Sequence, residues 1–176
     1  MFTKILVPVD GSNHAGKAVR IAGDLAAKYD AELILLHVLL RGHLDEGLKH
    51  YAEIEGIGNG TGRSFSKVVA SIPEGRFPVS MLPGNGGESE EEVLNAAAQL
   101  ILRTAADTAK GQGAKNVRSM IEDGDAAQRI LKKAEAEGTE LIVMGTRGFS
   151  DLKGLFLGSV SHKVTQLAPC PVMSVR

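Results

Sequence analysis

The residues best placed to do chemistry in this chain are glycines and serines. Gly145-Thr146-Arg147-Gly148 is followed, after nine residues, by Gly158-Ser159. Glycine carries no Cβ, so the backbone there can approach a ligand closely and adopt positive φ. The neighbouring amide N–H groups can then converge as anion donors. Ser159 stands where a helix would begin, and the free amides and positive dipole end of a helix N-terminus attract phosphate. The hydroxyls of Ser159 and Ser161 add donors at the same end. An isolated GxxG is most often a plain connection with a serine helix cap. A strand, GxxG, nine-residue spacer, Gly-Ser and helix in sequence are far more specific, and they point to a phosphate-cradling loop.

The other candidates carry less. Asp10 follows the first apolar run, where it could contact a ribose, cap a helix or accept a phosphoryl group. The last role wants a second acid two residues on, and Ser12 stands there. Lys153 and Lys163 flank the loop and read as solvated surface lysines. His37 reads as a core or rim residue at a strand end rather than as a base. His14 and His162 lie near helix starts without an acidic partner in sequence, so neither is given a catalytic role. His43 and His50 are too sparse for a metal site, and Cys170, between two prolines, reads as a small buried residue. Gly56-Ile57-Gly58-Asn59-Gly60-Thr61-Gly62 lacks both GxGxxG spacing and a preceding strand, so it reads as a loop. The chain contains no GxxxxGK[ST], GxSxG or HExxH.

The elements that must position these residues are legible from periodicity. Ile5-Leu6-Val7-Pro8-Val9 is a nearly continuous apolar run, as in a strand buried on both faces. Asp10 to Asn13 makes a turn and helix start, and Ala15, Ala18, Val19, Ala22, Leu25, Ala26 and Tyr29 recur on one helical face. Leu33 to Leu40 is the second strand. Residues 41–88 then hold ten of the 21 glycines and three of the six prolines, with a short helix over Leu44–Ile54 and no sustained period beyond it. So long a stretch is a functional loop or a disordered one. Ser89 with Glu92 fits a capping box for a helix whose stripe is Val93, Ala97, Leu100, Ile101 and Ala105. Val117–Ile121 reads as strand three, and Asp125 caps a helix that carries Ile130, Leu131 and Ala134 and stops at Gly138. Leu141–Met144 is strand four, Ser159–Leu167 the last helix and Val172–Val175 strand five.

Strands alternating with helices specify an α/β fold: a single, open, doubly wound five-stranded parallel sheet, Rossmann-like, with helices on both faces. In such sheets ligands sit beyond the carboxyl ends of the strands, where strand order reverses. The loops after strands one and four, at Asp10 and Gly145, are therefore the candidate site. The whole of 1–176 reads as one domain with 41–88 as an insertion.

Composition excludes several classes. Twenty basic and 21 acidic residues give a net charge of −1, without the basic bias of a nucleic-acid binder. The single cysteine allows neither an intramolecular disulfide nor a CxxC pair, which suits a reducing cytosol. The N-terminus lacks the form of a signal peptide, and no apolar run approaches the roughly 20 residues that span a bilayer. The expectation is a soluble cytoplasmic protein.

Gly145-x-x-Gly148, nine residues, Gly158-Ser159 resembles the ATP-binding motif of the universal stress protein family. Ile5-Leu6-Val7-Pro8-Val9-Asp10-Gly11-Ser12, His37-Val38 and Pro169-Cys170-Pro171-Val172 agree in order. The resemblance covers residues 1–40 and 89–176, and not the insertion. It implies an adenine nucleotide hydrolase-like fold, an ATP ligand, and Mg²⁺ or Mn²⁺ bridging phosphate oxygens. Pro8, Val9 and Asp10 would line the nucleoside, with Asp10 accepting from ribose hydroxyls, and Val38 would pack beside adenine and hydrogen-bond its edge. Met144 is carried over beside Gly145, while Gly145, Arg147 and Gly148 would meet ribose and the first phosphates. Gly158, Ser159, Val160 and Ser161 would hold the distal ones. The resemblance further implies a role in stress response, a homodimer formed through the last strand, and a regulatory protein partner. Binding parts are present while no base or nucleophile stands near the phosphates, so a nucleotide-dependent regulator is favoured. A slow ATPase or phosphotransferase with the insertion as lid, or a nucleotide-free dimeric scaffold, are the alternatives.

Overall fold

The computed structural model describes residues 2–39, 90–148 and 158–176. Its elements run β1 (Lys4–Pro8), α1 (Asn13–Tyr29), β2 (Glu32–Leu39), α2 (Glu90–Gly111), β3 (Asn116–Asp123), α3 (Ala126–Glu137), β4 (Leu141–Gly145), α4 (Ser159–Leu167) and β5 (Val172–Val175). All pairings are parallel, and the five strands are ordered β3-β2-β1-β4-β5. The chain thus winds outward from β1 in one direction and from β4 in the other. The order reverses between these two central strands.

The central strands are apolar throughout because both faces are covered. Side chains alternate across the sheet. Ile5, Val7, Val9, Leu33, Leu35, Leu141 and Val143 pack under α1 and α2. Leu6, Ile34, Leu36, Ile142 and Met144 pack under α3 and α4. At the outer edges the pattern relaxes: β3 alternates half-buried with exposed residues, and Met173 of β5 is 38% exposed.

Helix ends follow local chemistry. The Ser12 hydroxyl caps α1 by accepting from the Ala15 amide at 3.2 Å. Asp125 caps α3, accepting from the Gln128 amide at 2.8 Å, and Gly138 ends that helix in the left-handed region. That bond from the Gln128 amide, with help from Lys163, holds the Asp125 carboxyl below the ordinary carboxylate range.

The structure corrects the expected stripe of α2. Its buried residues are Ala98, Ile101, Leu102, Ala105 and Ala109, while Leu100 is only half-buried. Ile101 and Ala105 are buried as expected, and the face is broadened to Ala98, Leu102 and Ala109 because α2 packs on both the sheet and α1. Ser89, the side chains of Glu92, Val93 and Ala97, the proposed helix at 44–54 and the rest of 41–88 lie outside the described residues or side chains. Strand three is longer than its apolar stretch, running through Glu122 and Asp123, because β2 pairs with it as far as Leu39↔Asp123.

Candidate functional site

The crevice lies at the carboxyl ends of β1 and β4, flanked by β2 and the start of α4. β1 ends at Pro8, and the Val9 amide still donates to the Leu36 carbonyl at 2.9 Å. Asp10 then turns away from the sheet. Its Oδ1 accepts from the Ser12 amide at 2.9 Å, a local Asx turn that fixes the carboxylate. Gly11, at φ 88°, is the residue that lets the chain make that turn.

Across the crevice, two glycines are required by contact. A Cβ placed on Gly145 would come within 2.8 Å of the His14 Cβ and 3.0 Å of the Ala15 amide nitrogen. Strand β4 therefore ends tight against the first turn of α1. A Cβ on Gly148 would lie 2.5 Å from Asp10 Oδ2. The two loops read from sequence as one site do meet, carboxylate against glycine.

The peptide of Thr146 ties this loop to its surroundings. Its amide donates to the Val175 carbonyl at 2.8 Å, and its carbonyl accepts from the Gly158 amide at 2.7 Å. The buried Ser161 hydroxyl points to the same carbonyl at 2.8 Å and to the Gly158 carbonyl at 2.9 Å. The Ser12 hydroxyl reaches the Arg147 carbonyl at 3.4 Å. Both ends of the loop are thus held together although residues 149–157, Lys153 among them, lie outside the described part. Among the described residues, the Thr146 hydroxyl is buried without a hydrogen-bond partner.

Gly158, not Ser159, is the N-cap of α4, and no side-chain oxygen caps this helix. By helix geometry the amides of Ser159, Val160 and Ser161 have no intrahelical acceptor. Ser159 is exposed and Val160 half-buried in this first turn. Because the Ser161 hydroxyl is turned inward, a ligand would meet that residue through its amide. The arrangement offers amide donors at the positive end of a helix dipole, facing a crevice with a fixed carboxylate on its other wall.

Every expected site residue in the described part falls around this crevice. Pro8, Val9 and Asp10 form one wall, and Met144, Gly145, Arg147 and Gly148 form the opposite one. Gly158 to Ser161 form the third side, and Val38, half-buried near the end of β2, the fourth. Met144 buries its side chain in the core beneath α3 and α4, leaving its backbone to the site. Sequence reasoning gave no site role to Ser12, Thr146 or His37. The first two act through contacts spanning 135 and 15 residues, which no local spacing encodes. His37, read as a core or rim residue, has its Nδ1 2.8 Å from the Val9 carbonyl, so Nδ1 carries the proton. Burial lowers its pKa, opposed by that carbonyl and by the nearby Asp10 charge.

The remaining candidates sit elsewhere. Lys163 pairs with Asp125 at 3.5 Å. His162 is exposed on α4, and the half-buried Cys170 has its thiol pKa raised by burial. Among the described residues no group of three His, Cys, Asp or Glu gathers as a metal site, and no helix is long and apolar enough to cross a membrane. A shallow hollow of about 480 Å³ between α2 and β3, lined by Leu102, Arg103 and Ile121, lies two strands from β1 and is no part of this site.

Order β3-β2-β1-β4-β5 with helices on both faces defines an open, doubly wound, Rossmann-like α/β protein with its crevice at the β1–β4 switch point. The chain belongs to the universal stress protein family, whose sequence model matches residues 1–49 and 72–176. It is 36% identical over 176 residues to Universal stress protein YxiE of Bacillus subtilis (strain 168), covering all of both chains. Among solved structures it resembles a universal stress protein in complex with cAMP, at 24% identity and TM-score 0.63, covering 99% of this chain and 97% of that one. It also resembles the universal stress protein from Archaeoglobus fulgidus in complex with dAMP, at 18% identity and TM-score 0.59, covering 100% and 99%. The last two likenesses bear on the fold.

Proposed function

We propose that this protein binds ATP in the β1–β4 crevice and acts in the cytoplasm as a nucleotide-dependent regulator of the stress response. The observation that carries the reading is the seating of the Asp10 carboxylate on Gly148 beside the uncapped start of α4. A carboxylate able to accept from ribose hydroxyls and a helix end able to receive phosphate thereby stand on two sides of one crevice. Adenine nucleotides recorded with two structural relatives support the same ligand class.

In this reading Asp10 accepts from the ribose hydroxyls. Val38 offers its backbone to the adenine edge, with Pro8 and Val9 lining the nucleoside. The Met144–Gly145 backbone, Arg147 and Gly148 border ribose and the first phosphates. The amides of Ser159, Val160 and Ser161 receive the distal phosphates, and the Gly158 backbone leaves them room. Mg²⁺ or Mn²⁺ would be held mainly by the phosphates, whose charge it neutralises. The short edge strand β5, with Met173 exposed, would be covered by a second copy. A change of nucleotide state would be read by a regulatory protein partner.

The deciding experiment denatures the purified protein and chromatographs the released nucleotide, alongside titration calorimetry with Mg-ATP. Released ATP or ADP, or saturable uptake of ATP by the emptied protein, is expected. No nucleotide and no uptake would overturn the reading. Light scattering should find a dimer at micromolar concentration, and a monomer there would refute the β5 pairing.

A further inference from the structure

We infer that His37 is the positioning residue of the ribose subsite, holding Asp10 in place through the Val9 carbonyl. This rests on the nucleotide reading above and extends it to a residue that touches no part of the ligand.

The β1–β2 ladder ends just before Asp10. The last register pair is Pro8↔Leu36, and the Val9 amide closes the ladder on the Leu36 carbonyl at 2.9 Å. In a parallel ladder, backbone groups pointing to one neighbour recur every second residue. The Val38 amide and carbonyl therefore face the same side as the Leu36 carbonyl, towards β1. One more step of the ladder would join Val38 to Val9. The His37 imidazole stands at that step instead, with Nδ1 2.8 Å from the Val9 carbonyl oxygen.

Two consequences follow from this one contact. Val9 is held at both of its backbone groups, its amide on the Leu36 carbonyl and the carbonyl of its peptide with Asp10 by the His37 ring, and Val9 itself is only 5% exposed. Asp10 is the next residue, so the orientation of that peptide sets where its Cα sits. The carboxylate then has little latitude, with Oδ1 on the Ser12 amide and Oδ2 over Gly148. The ring also takes the acceptor that the Val38 amide would otherwise seek, which leaves the Val38 backbone edge for a base. One imidazole thus serves both ends of the nucleoside site.

The geometry requires a donor at the Nδ1 position. Asparagine places its amide nitrogen close to where Nδ1 stands, glutamine reaches nearer to Nε2, and leucine donates nothing. Titration calorimetry should measure affinities of the wild type, His37→Asn, His37→Gln, His37→Leu and Asp10→Ala for ATP and for 2′,3′-dideoxy-ATP. Thermal melting of each variant serves as the fold control. The wild type should prefer ATP by roughly tenfold or more, the worth of charge-assisted bonds to ribose. His37→Leu and His37→Gln should lose that preference as Asp10→Ala does, and His37→Asn should keep it.

The preference for ribose is the readout because general loosening would weaken both ligands alike and leave their ratio unchanged. If His37→Leu fails to melt cooperatively, the comparison of His37→Gln with His37→Asn decides. An unchanged ratio in a folded His37→Leu or His37→Gln overturns the inference while leaving the nucleotide reading standing, as does an Asn variant no better than Gln. A wild type that binds neither ligand sinks the nucleotide reading first and this inference with it.

Discussion

The sharpest consequence of the crevice is the expected behaviour of Gly148→Ala. Gly148 does not occupy the left-handed region, where only Gly11, Gly113, Gly124 and Gly138 are found among the described glycines. The substitution is therefore not strained by backbone conformation, and its effect is one of contact alone. The new methyl would lie 2.5 Å from Asp10 Oδ2 and 3.8 Å from its Cγ. Carbon and oxygen do not approach so closely, so the carboxylate must rotate. Rotation forces an off-rotamer χ, at about 0.5–1.5 kcal/mol. It also weakens the bond from the Ser12 amide and withdraws Asp10 from the position of the proposed ribose. A charge-assisted hydrogen bond contributes about 1.5–3 kcal/mol. The rotamer cost falls on stability, since the free protein bears it too, and the lost contact should lower ATP affinity by about 1.5–3 kcal/mol, or roughly 10- to 150-fold.

A double-mutant cycle makes the reasoning refutable. In an Asp10→Ala background the colliding oxygen is gone, so Gly148→Ala should add almost nothing to the loss already present. Calorimetry with Mg-ATP on the four proteins, with melting temperatures in parallel, gives the coupling energy. Additive losses would show that the methyl acts by some route other than Asp10, and the account of the ribose wall would be wrong.

Three further perturbations probe neighbouring parts of the design. Gly145→Ala meets His14 and Ala15 backbone rather than a mobile side chain, so it should act on folding, lowering stability by about 2 kcal/mol, or roughly 4–8 °C in melting temperature; an unchanged melting temperature would refute the close packing of β4 on α1. Ser161→Ala removes a buried hydroxyl bonded to the Thr146 and Gly158 carbonyls, and should cost about 1 kcal/mol of stability while lowering ATP affinity only modestly; abolished binding at unchanged stability would mean that the hydroxyl serves the ligand directly. Glu137 is held below its ordinary pKa of 4.5, first by its hydrogen bond from Arg118, whose guanidinium is 2.6 Å away. Its stabilising effect is present above the unfolded pKa and lost as pH falls through the lowered folded value. Because Arg118 is 39% exposed, the pair contributes only about 1 kcal/mol. Glu137→Gln should therefore shift the urea midpoint at pH 7 and barely shift it near pH 3; an equal shift at both would refute the linkage.

Much of the fold was legible because its signals are local. Apolar runs of β-branched residues gave β1, β2 and β4 within a residue or so of their ends, and the bounds of α4 and β5 coincide with those read from sequence. Asp125 and Gly138 mark a helix by chemistry confined to a single turn. The failures are equally physical. On α2 the expected Ile101 and Ala105 are buried, but Leu100 is only half-buried and Leu102 takes its place in the core, which contact with α1 and the sheet decides. The start of α4 at Ser159 was legible, but not that the Gly158 amide donates to the Thr146 carbonyl and makes Gly158 the N-cap.

The candidate site shows the same division more clearly. Glycine spacing and strand order pointed to the loops after β1 and β4, and the family resemblance supplied the remaining candidates. What each does could not be read so, since the deciding contacts join β1 to β2 and β4 to α1 and α4. Asp10 gains its meaning from Gly148, 138 positions away, and from a histidine whose ring reaches the Val9 carbonyl across 28. A carboxylate after a first strand is compatible with capping, phosphoryl transfer or ribose binding. Seated on a glycine, with one oxygen bound by the Ser12 amide, Asp10 is held as a fixed acceptor. A fixed acceptor suits a hydroxyl group of a ligand, and it is this constraint, more than the loop's glycines, that the Gly148 cycle measures.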